Sequence, residues 1–539
     1  MMLFKLSLKN IKKSMKDYAI YFFTLILGVA IFYVFNSIDS QTAMMTVSKS
    51  TSEILELMTP ILSGVSVFVS FILAFLIVYA SRFLMKRRKK EFGVYMTLGM
   101  GKRKISLILF FETLFIGIIS LTVGLALGTI LSQFMSIIVA DMFEADMTNF
   151  RFVFSESACI KTLIYFGIMY FVVMIFNTFN ISKCKLIDLI YGSRKSEAVK
   201  LKNTWLCIVI FIISSCALGY SYYAVTEGIN KILSTSQRML GIIALGSIST
   251  FFIFWSLSGL ILKIVKSNKK LYYKGLNSFT VRQISSKINT TVFSMTVICL
   301  MLFITICVLS SALSMKNSLN RSIDGKEYLP KYDKCIDGFY EMTGNKVNDG
   351  FIVLPDNAFE NSQKILEFLV ADYNGETDKV EEMVNNLINK DYYKNCNLTI
   401  NTKIDIRASS VGLGAIVTFI GLYLGIIFLI SCAAILALKE LSESSDNFIR
   451  FEMLRKIGVD EKDLNRALFR QIGVFFMFPL LIAIIHSIFG IKFSNYILKA
   501  TGISFELNSI IMTAAFIVII YGGYFVVTYL SSKNIISEK

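Results

Sequence analysis

Ten continuous apolar stretches recur along this 539-residue chain, at about 18–38, 60–84, 105–139, 158–180, 205–225, 239–263, 292–314, 411–438, 467–490 and 508–531. Coiled as α-helices, stretches of about 20 residues match the hydrocarbon thickness of a bilayer, where each backbone N–H and C=O must be satisfied within the helix or in a closed barrel. Barrel strands alternate apolar and polar residues, whereas these runs are continuous, so helices follow. Composition agrees, with 55% apolar and 17% charged residues, four prolines and a mean hydropathy of +0.62. Those values exclude a soluble enzyme, a disordered chain and a disulfide-stapled secreted scaffold. The expected fold class is an integral membrane, all-α bundle of ten transmembrane helices, with one small α/β domain between helices seven and eight.

Local signals refine the spans. Thr59-Pro60 opens the second with a capping residue and a proline at the first helical position. The third is too long for one straight crossing, so it either projects beyond the bilayer or bends near Gly124 or Gly128. Residues 1–17 carry lysines throughout with no small-residue cleavage site after them. They read as a basic amphipathic helix on the membrane surface, with Phe4, Leu8 and Ile11 in the interface.

Basic residues set the orientation, because short cytoplasmic segments hold the excess. Residues 82–104 include Arg82, Lys86, Arg87, Arg88, Lys89, Lys90, Lys102, Arg103 and Lys104, whereas 39–59 has only Lys49. With an even number of spans, both termini are therefore expected in the cytoplasm. The organisation reads as helices one to four over 18–180, five to seven over 181–314, an outer domain over 315–410 and helices eight to ten over 411–539. The net charge of +17 reflects this topology and contact with anionic lipids rather than nucleic acid.

The outer segment has the opposite sign, with 12 Lys/Arg against 16 Asp/Glu over 315–410, a net charge of −4. It is either a solvated face or a surface that steers cations. Phe351-Ile352-Val353-Leu354 is strand-like, and helices are expected around 360–371 and 376–389. Cys335 and Cys396 are the only cysteines there and form a candidate disulfide.

An internal repeat is the most informative local feature. Adding 359 carries Phe92 onto Phe451, Leu98 onto Ile457, Gly99 onto Gly458, Ile105 onto Leu464, Leu109 onto Leu468 and Glu112 onto Gln471. Each unit reads as a span leaving the membrane, a short amphipathic helix, a glycine turn and a return span. Phe92, Tyr95, Met96 and Gly99 fall at i, i+3, i+4 and i+7 and make one apolar face. That face either lies on lipid headgroups or docks a cytoplasmic partner. The two units differ in charge, since Lys102 and Lys104 become Glu461 and Asp463.

KKEFGVYMTLGMGKRKI (89–105) followed by LFFETLFIG (109–117) resembles the first permease unit of the FtsX-like ABC transporter permeases. NSFTVRQISSKINTT (277–291), QIGVFFMFPLLIAIIHSIFG (471–490) and YGGYFVVTYL (521–530) resemble the Bce-type branch, which resists and senses cell-wall-active antimicrobial peptides such as bacitracin and lantibiotics. The resemblance implies FtsX-like units over 60–180 and 411–539, and two copies of a separate ATP-binding cassette subunit holding ATP and Mg. It also implies, as further partners, a membrane histidine kinase and a cationic or lipid-bound peptide. The coupling residues it implies are Glu91, Phe92, Tyr95, Leu98 and Gly99 in the first unit, and Phe451, Leu454, Ile457 and Gly458 in the second. The outer insert, at about 95 residues, is about half the family's usual size. A second expectation is a mechanotransmitting permease whose outer domain regulates a wall enzyme or extracts lipid.

Catalytic and metal signals are missing from the sequence itself. No G-x-x-x-x-G-K-[ST] phosphate cradle occurs, so ATP hydrolysis is assigned to a partner and no cofactor to this chain. His486 is the single histidine, and one imidazole makes neither a metal site nor a triad. Glu112 lies inside an apolar run, where an ionisable group is functional by default, either in structural coupling or in a relay. Arg470 and Gln471, at the same level of the second unit, are its expected partners across the bundle. Glycines 117, 124 and 128, with 412, 414, 421 and 425, are expected to let helices approach closely.

Overall fold

The computed structural model describes residues 19–37, 63–74, 76–78, 81, 91–142, 152, 154–183, 203–227, 235–323, 403–500 and 507–537. Among them every regular element is a helix: α1 (Ala19–Asn36), α2 (Ser63–Val78), α3 (91–97), α4 (Lys102–Met142), α5 (Glu156–Lys183), α6 (Thr204–Thr226), α7 (Ser236–Ser267), α8 (Lys269–Tyr272), α9 (Asn277–Ile323), α10 (Lys403–Lys456), α11 (Glu461–Ala500) and α12 (Leu507–Ser537). Capping side chains mark two starts. The Ser155 hydroxyl accepts the Ala158 N–H ahead of α5, and the Asn203 carbonyl oxygen accepts the Trp205 N–H ahead of α6.

Eight helices, α4 to α7 and α9 to α12, are long and apolar enough to cross a membrane, while α1 and α2 are shorter apolar helices at the first two expected places. The third expected span lies within α4, which runs unbroken for 41 residues. Helices also outrun the apolar windows. α9 begins at Asn277 rather than near 292, and α10 spans 54 residues, close to 80 Å at about 1.5 Å per residue. These extensions carry helix into both ends of the expected outer domain, at 315–323 and 403–410. The remaining positions, 324–402, lie outside the described residues, as do the α/β elements placed there, Cys335, Cys396 and the amphipathic segment 1–17.

α10 is the axis of the bundle, with every residue from Ile427 to Leu441 buried. α9 lies antiparallel along it. A Cβ on Gly421 would stand 2.7 Å from Ala312 Cβ, one on Gly425 3.1 Å from Leu309 Cβ, and the Cys432 thiol faces the Ile298 carbonyl at 3.9 Å. In the other half, α1 and α4 run parallel with similar intimacy, Gly124 against Val29 and Gly128 against Ala30. Gly117 packs on the Tyr170 ring, completing the close approaches expected from the described glycines; Gly412 and Gly414 fall among positions whose side chains are not described.

Aromatic rings join the halves, Phe35 of α1 stacking on Tyr423 of α10 with centroids 3.9 Å apart. Val29 and Phe35 of α1 thus sit level with Gly124 of α4 and Tyr423 of α10. Descending from that level, the start of α4 and the end of α10 reach the same end of the bundle, where residues 98–101 and 457–460 turn. α12 is hydrogen-bonded to α11 through the Tyr521 hydroxyl, which donates to the Phe476 carbonyl at 2.8 Å, and to α9 through Ser310 and Thr513.

Candidate coupling site

Each of the two turns ends a helix in the same way. Gly99 and Gly458 have φ of 87° and 94°, a left-handed conformation that costs glycine little. In the first turn Gly99 N–H donates to the Met96 carbonyl and Met100 N–H to Tyr95; in the second, Gly458 N–H donates to Arg455 and Val459 N–H to Leu454. This is the paired Schellman closure of a helix C-terminus. The bonds that open α4 and α11 repeat as well, Lys104 to Gly101 matching Asp463 to Asp460, and Ile105 to Gly101 matching Leu464 to Asp460. All obey the offset of 359 read from the sequence.

Side-chain burial follows the same register. Phe92 and Phe451 are each 1% exposed, and Ile105, Leu464, Leu109 and Leu468 are all buried. Leu98 and Ile457, at the tips, are 79% and 78% exposed. This corrects the sequence reading of the apolar face. Phe92, Tyr95 and Met96 turn into the bundle and pack on its core, because the helix carrying them lies against other helices rather than alone on a surface. The face left open is Val94 and Leu98, matched by Met453 and Ile457, an i, i+4 pair in each unit. Val94 and Met453 are not among the expected coupling residues, and the same offset of 359 relates them. Glu91 is exposed beside the first pair, while Leu454, like Tyr95, is partly buried.

In the second unit no separate amphipathic helix precedes the turn, since α10 continues unbroken from its apolar stretch to Lys456. The turn of that unit is tied on both sides. Arg455, which replaces Met96 of the first unit, donates to the Ile536 carbonyl near the end of α12 at 2.7 Å and pairs with Glu461. Opposite, the first turns of α9 reach both arms of the hairpin. Arg450 donates to Gln283 Oε1 at 3.0 Å, the Phe279 ring meets Phe451 edge-on at 5.6 Å, and Arg470 donates to Asn277 Oδ1 at 2.6 Å.

Glu112 and Gln471 are 1% and 2% exposed, so both units bury a polar side chain at the same level. The expected pairing of Arg470 with Glu112 gives way to the bond with Asn277, because α11 packs on α9 whereas α4 packs on α1 and α5. His486 is buried between helices. Its ring nitrogens meet the Tyr222 hydroxyl of α6 and the Thr250 hydroxyl of α7, the latter at 3.1 Å. Among the described residues no three His, Cys, Asp or Glu side chains gather as a metal site.

A multi-pass helical membrane protein with two equivalent hairpins at one end is the class this geometry defines. Residues 63–185 match the family model of the FtsX-like permease C-terminal region. The chain is 22% identical, over 90% of its length and 93% of theirs, to the bacitracin export permease protein BceB of Bacillus subtilis. It is also 23% identical over 54% of its length to BceB of Halalkalibacterium halodurans, covering 45% of that protein. An uncharacterized ABC transporter permease of Bacillus subtilis, YvcS, is 25% identical over 50% of this chain and 40% of its own. The chain is thus similar to FtsX-like ABC transporter permeases, bacitracin export permeases among them.

Proposed function

We propose that this chain is the membrane subunit of an ABC system in the bacterial cell membrane, with both termini cytoplasmic. It docks two copies of an ATP-binding cassette subunit on its two glycine turns. The observation that carries this reading is the duplicated turn with its exposed apolar pair, Val94 and Leu98 in one unit and Met453 and Ile457 in the other. An exposed apolar pair on a rigid helix end is a surface that a partner covers. ATP and Mg belong to that partner. The likeness to bacitracin export permeases supports a cell-wall-active antimicrobial peptide, free or on a lipid-linked wall precursor, as the substrate. Signalling to a membrane histidine kinase belongs to the same proposal.

The lengths of α9 and α10 favour a second reading of how the work is done. Both run unbroken from the turn end of the bundle into the expected outer domain, so a mechanical displacement, including one that regulates a wall enzyme or extracts lipid, has a continuous path. Affinity purification from the native membrane, followed by ATPase assay, tests the proposal. An ATP-binding subunit should co-purify, and turnover should require it. ATP hydrolysis by the contaminant-free chain alone would defeat the assignment.

A further inference from the structure

Three contacts converge on the second docking hairpin from one short stretch. At the start of α9, Asn277, Phe279 and Gln283 occupy the first two helical turns. Phe279 and Gln283, four residues apart on one face, engage Phe451 and Arg450 on α10, the descending arm of the hairpin. Asn277, at the helix start, engages Arg470 on α11, the ascending arm. The Arg450 guanidinium also donates to Asn447 Oδ1 at 3.1 Å, so it is held from its own helix as well as from α9. Gln283 is 7% exposed and Phe451 1% exposed, so the Phe451 contact lies in the packed interior, while the bond from the exposed Arg450 to Gln283 is part-buried.

α9 does not end there. It continues as one helix to Ile323, which directly precedes residues 324–402 in the chain, so the helix that holds both arms is covalently joined to that insert. The approach to α9 is sharply folded as well, with Gly275 at φ 56° between α8 and Asn277. From this geometry we infer that Asn277, Phe279 and Gln283 are positioning residues that set the second docking turn through α9. Through them the insert governs the ATP-binding subunit seated on Ile457. The inference rests on the function proposed above and adds the residues through which regulation passes.

A second anchor on the same turn supports a regulatory role over a merely supporting one. Arg455 already fastens the second turn to the end of α12 and to Glu461, so its fold has an anchor independent of α9. The contacts from α9 therefore add a link between hairpin and insert.

The test uses the full chain reconstituted with its ATP-binding subunit, with bacitracin as the probe. Gln283→Leu should keep subunit binding, basal ATP turnover and KM for ATP, while peptide-stimulated turnover falls about tenfold, the scale set by losing one part-buried bond to a charged donor. Gln283→Glu, which still accepts from Arg450, should restore stimulation. Asn277→Ala, at the exposed end of the bracket, should give a partial loss and serves as the variant if Gln283→Leu fails to assemble. Unchanged stimulation in Gln283→Leu and Asn277→Ala, or equal loss in Gln283→Leu and Gln283→Glu, would overturn the inference. Should the wild-type complex show no response to bacitracin, the choice of peptide fails separately. The bracket is then judged by thiol labelling of Ile457→Cys, which should speed up when Gln283→Leu is added and, if unchanged, refutes it.

Discussion

Gly99 and Gly458 stand 359 positions apart and share one backbone state, φ 87° and 94°, at the same point of two hairpins that close with the same hydrogen bonds. Neither has any atom within 4 Å of where a Cβ would sit, so the requirement for glycine there is conformational and not steric. A β-branched residue forced into the left-handed region costs about 1–3 kcal/mol, whereas asparagine visits it more readily. Gly99→Val and Gly458→Val should therefore each assemble with the ATP-binding subunit yet lose peptide-stimulated ATP turnover, while Gly99→Asn retains most of it. Full stimulation in the valine variants, measured on purified complexes, would contradict this.

Exposure separates the tip residues from the buried ones. Leu98→Asp and Ile457→Asp place a charge on an open surface, so the isolated chain should keep its melting temperature in detergent while binding of the ATP-binding subunit is abolished or greatly weakened. Phe92→Ala should do the reverse, removing a ring that is 1% exposed and lowering stability by about 3–5 kcal/mol. Thermal melts read beside pull-down yields check both halves. An Ile457→Asp variant that still captures the subunit at wild-type yield would remove Ile457 from the interface.

Close helix approach predicts a third pattern. A methyl at position 124 would lie 2.7 Å from Val29 Cβ, and one at position 421 the same distance from Ala312 Cβ, whereas a methyl at position 167 meets nothing within 4 Å. Gly124→Ala and Gly421→Ala should each destabilise by about 1–3 kcal/mol through overpacking. Gly167→Ala should sit within experimental error of the parent. Equal melting temperatures for all three would show that the helices separate without cost.

Much of this arrangement was legible before any coordinates. Continuous apolar runs located the crossing helices because bilayer thickness fixes their length. The offset of 359 anticipated the paired turns, since glycine at a helix end followed by an equivalent apolar pattern leaves few backbone solutions. What periodicity does not contain is direction. Phe92, Tyr95 and Met96 form a stripe on any helical wheel, and only the neighbouring helices decide that the stripe faces inward and that Val94 and Leu98 remain open. Hydropathy also stops where polarity begins, so the polar start of α9 and both polar ends of α10 fall outside the apolar windows although they continue as helix. The partner of Arg470 depends on which helices adjoin, and Asn277 lies 193 positions away.

His486 offers a test of how α6 and α7 are held to the rest of the bundle. Its ring joins Tyr222 and Thr250 to α11, and it is 5% exposed. His486→Leu keeps much of the volume but removes the ring partner of the part-buried Tyr222 hydroxyl, while the Thr250 hydroxyl keeps its bond to the Gly246 carbonyl, so a loss of about 1 kcal/mol is expected. His486→Gln, able to donate and accept, should recover part of it. No change in melting temperature for His486→Leu would mean that the Tyr222 hydroxyl finds another partner.

The insert between α9 and α10 concentrates charge of the opposite sign to the rest of the chain. Residues 324–402 hold 8 Lys/Arg against 15 Asp/Glu, a net charge of −7, in a chain whose total is +17. An acidic segment at the ends of two helices that lead to the docking turns is suited to meeting a cationic peptide and passing the encounter on. Replacing 324–402 by a short Gly/Ser linker should leave the membrane helices folded, because α9 and α10 pack along each other through Gly421 and Gly425 without it. Subunit binding and basal ATP turnover should persist, and the response to peptide should vanish. Association of peptide with the intact protein should also slow as salt rises, since the screening length is about 10 Å at 0.1 M ionic strength and shortens further above it. A well-folded deletion variant whose ATP turnover still rises fully with peptide would place the recognising surface within the membrane helices. A peptide on-rate indifferent to salt would remove electrostatic steering from the account.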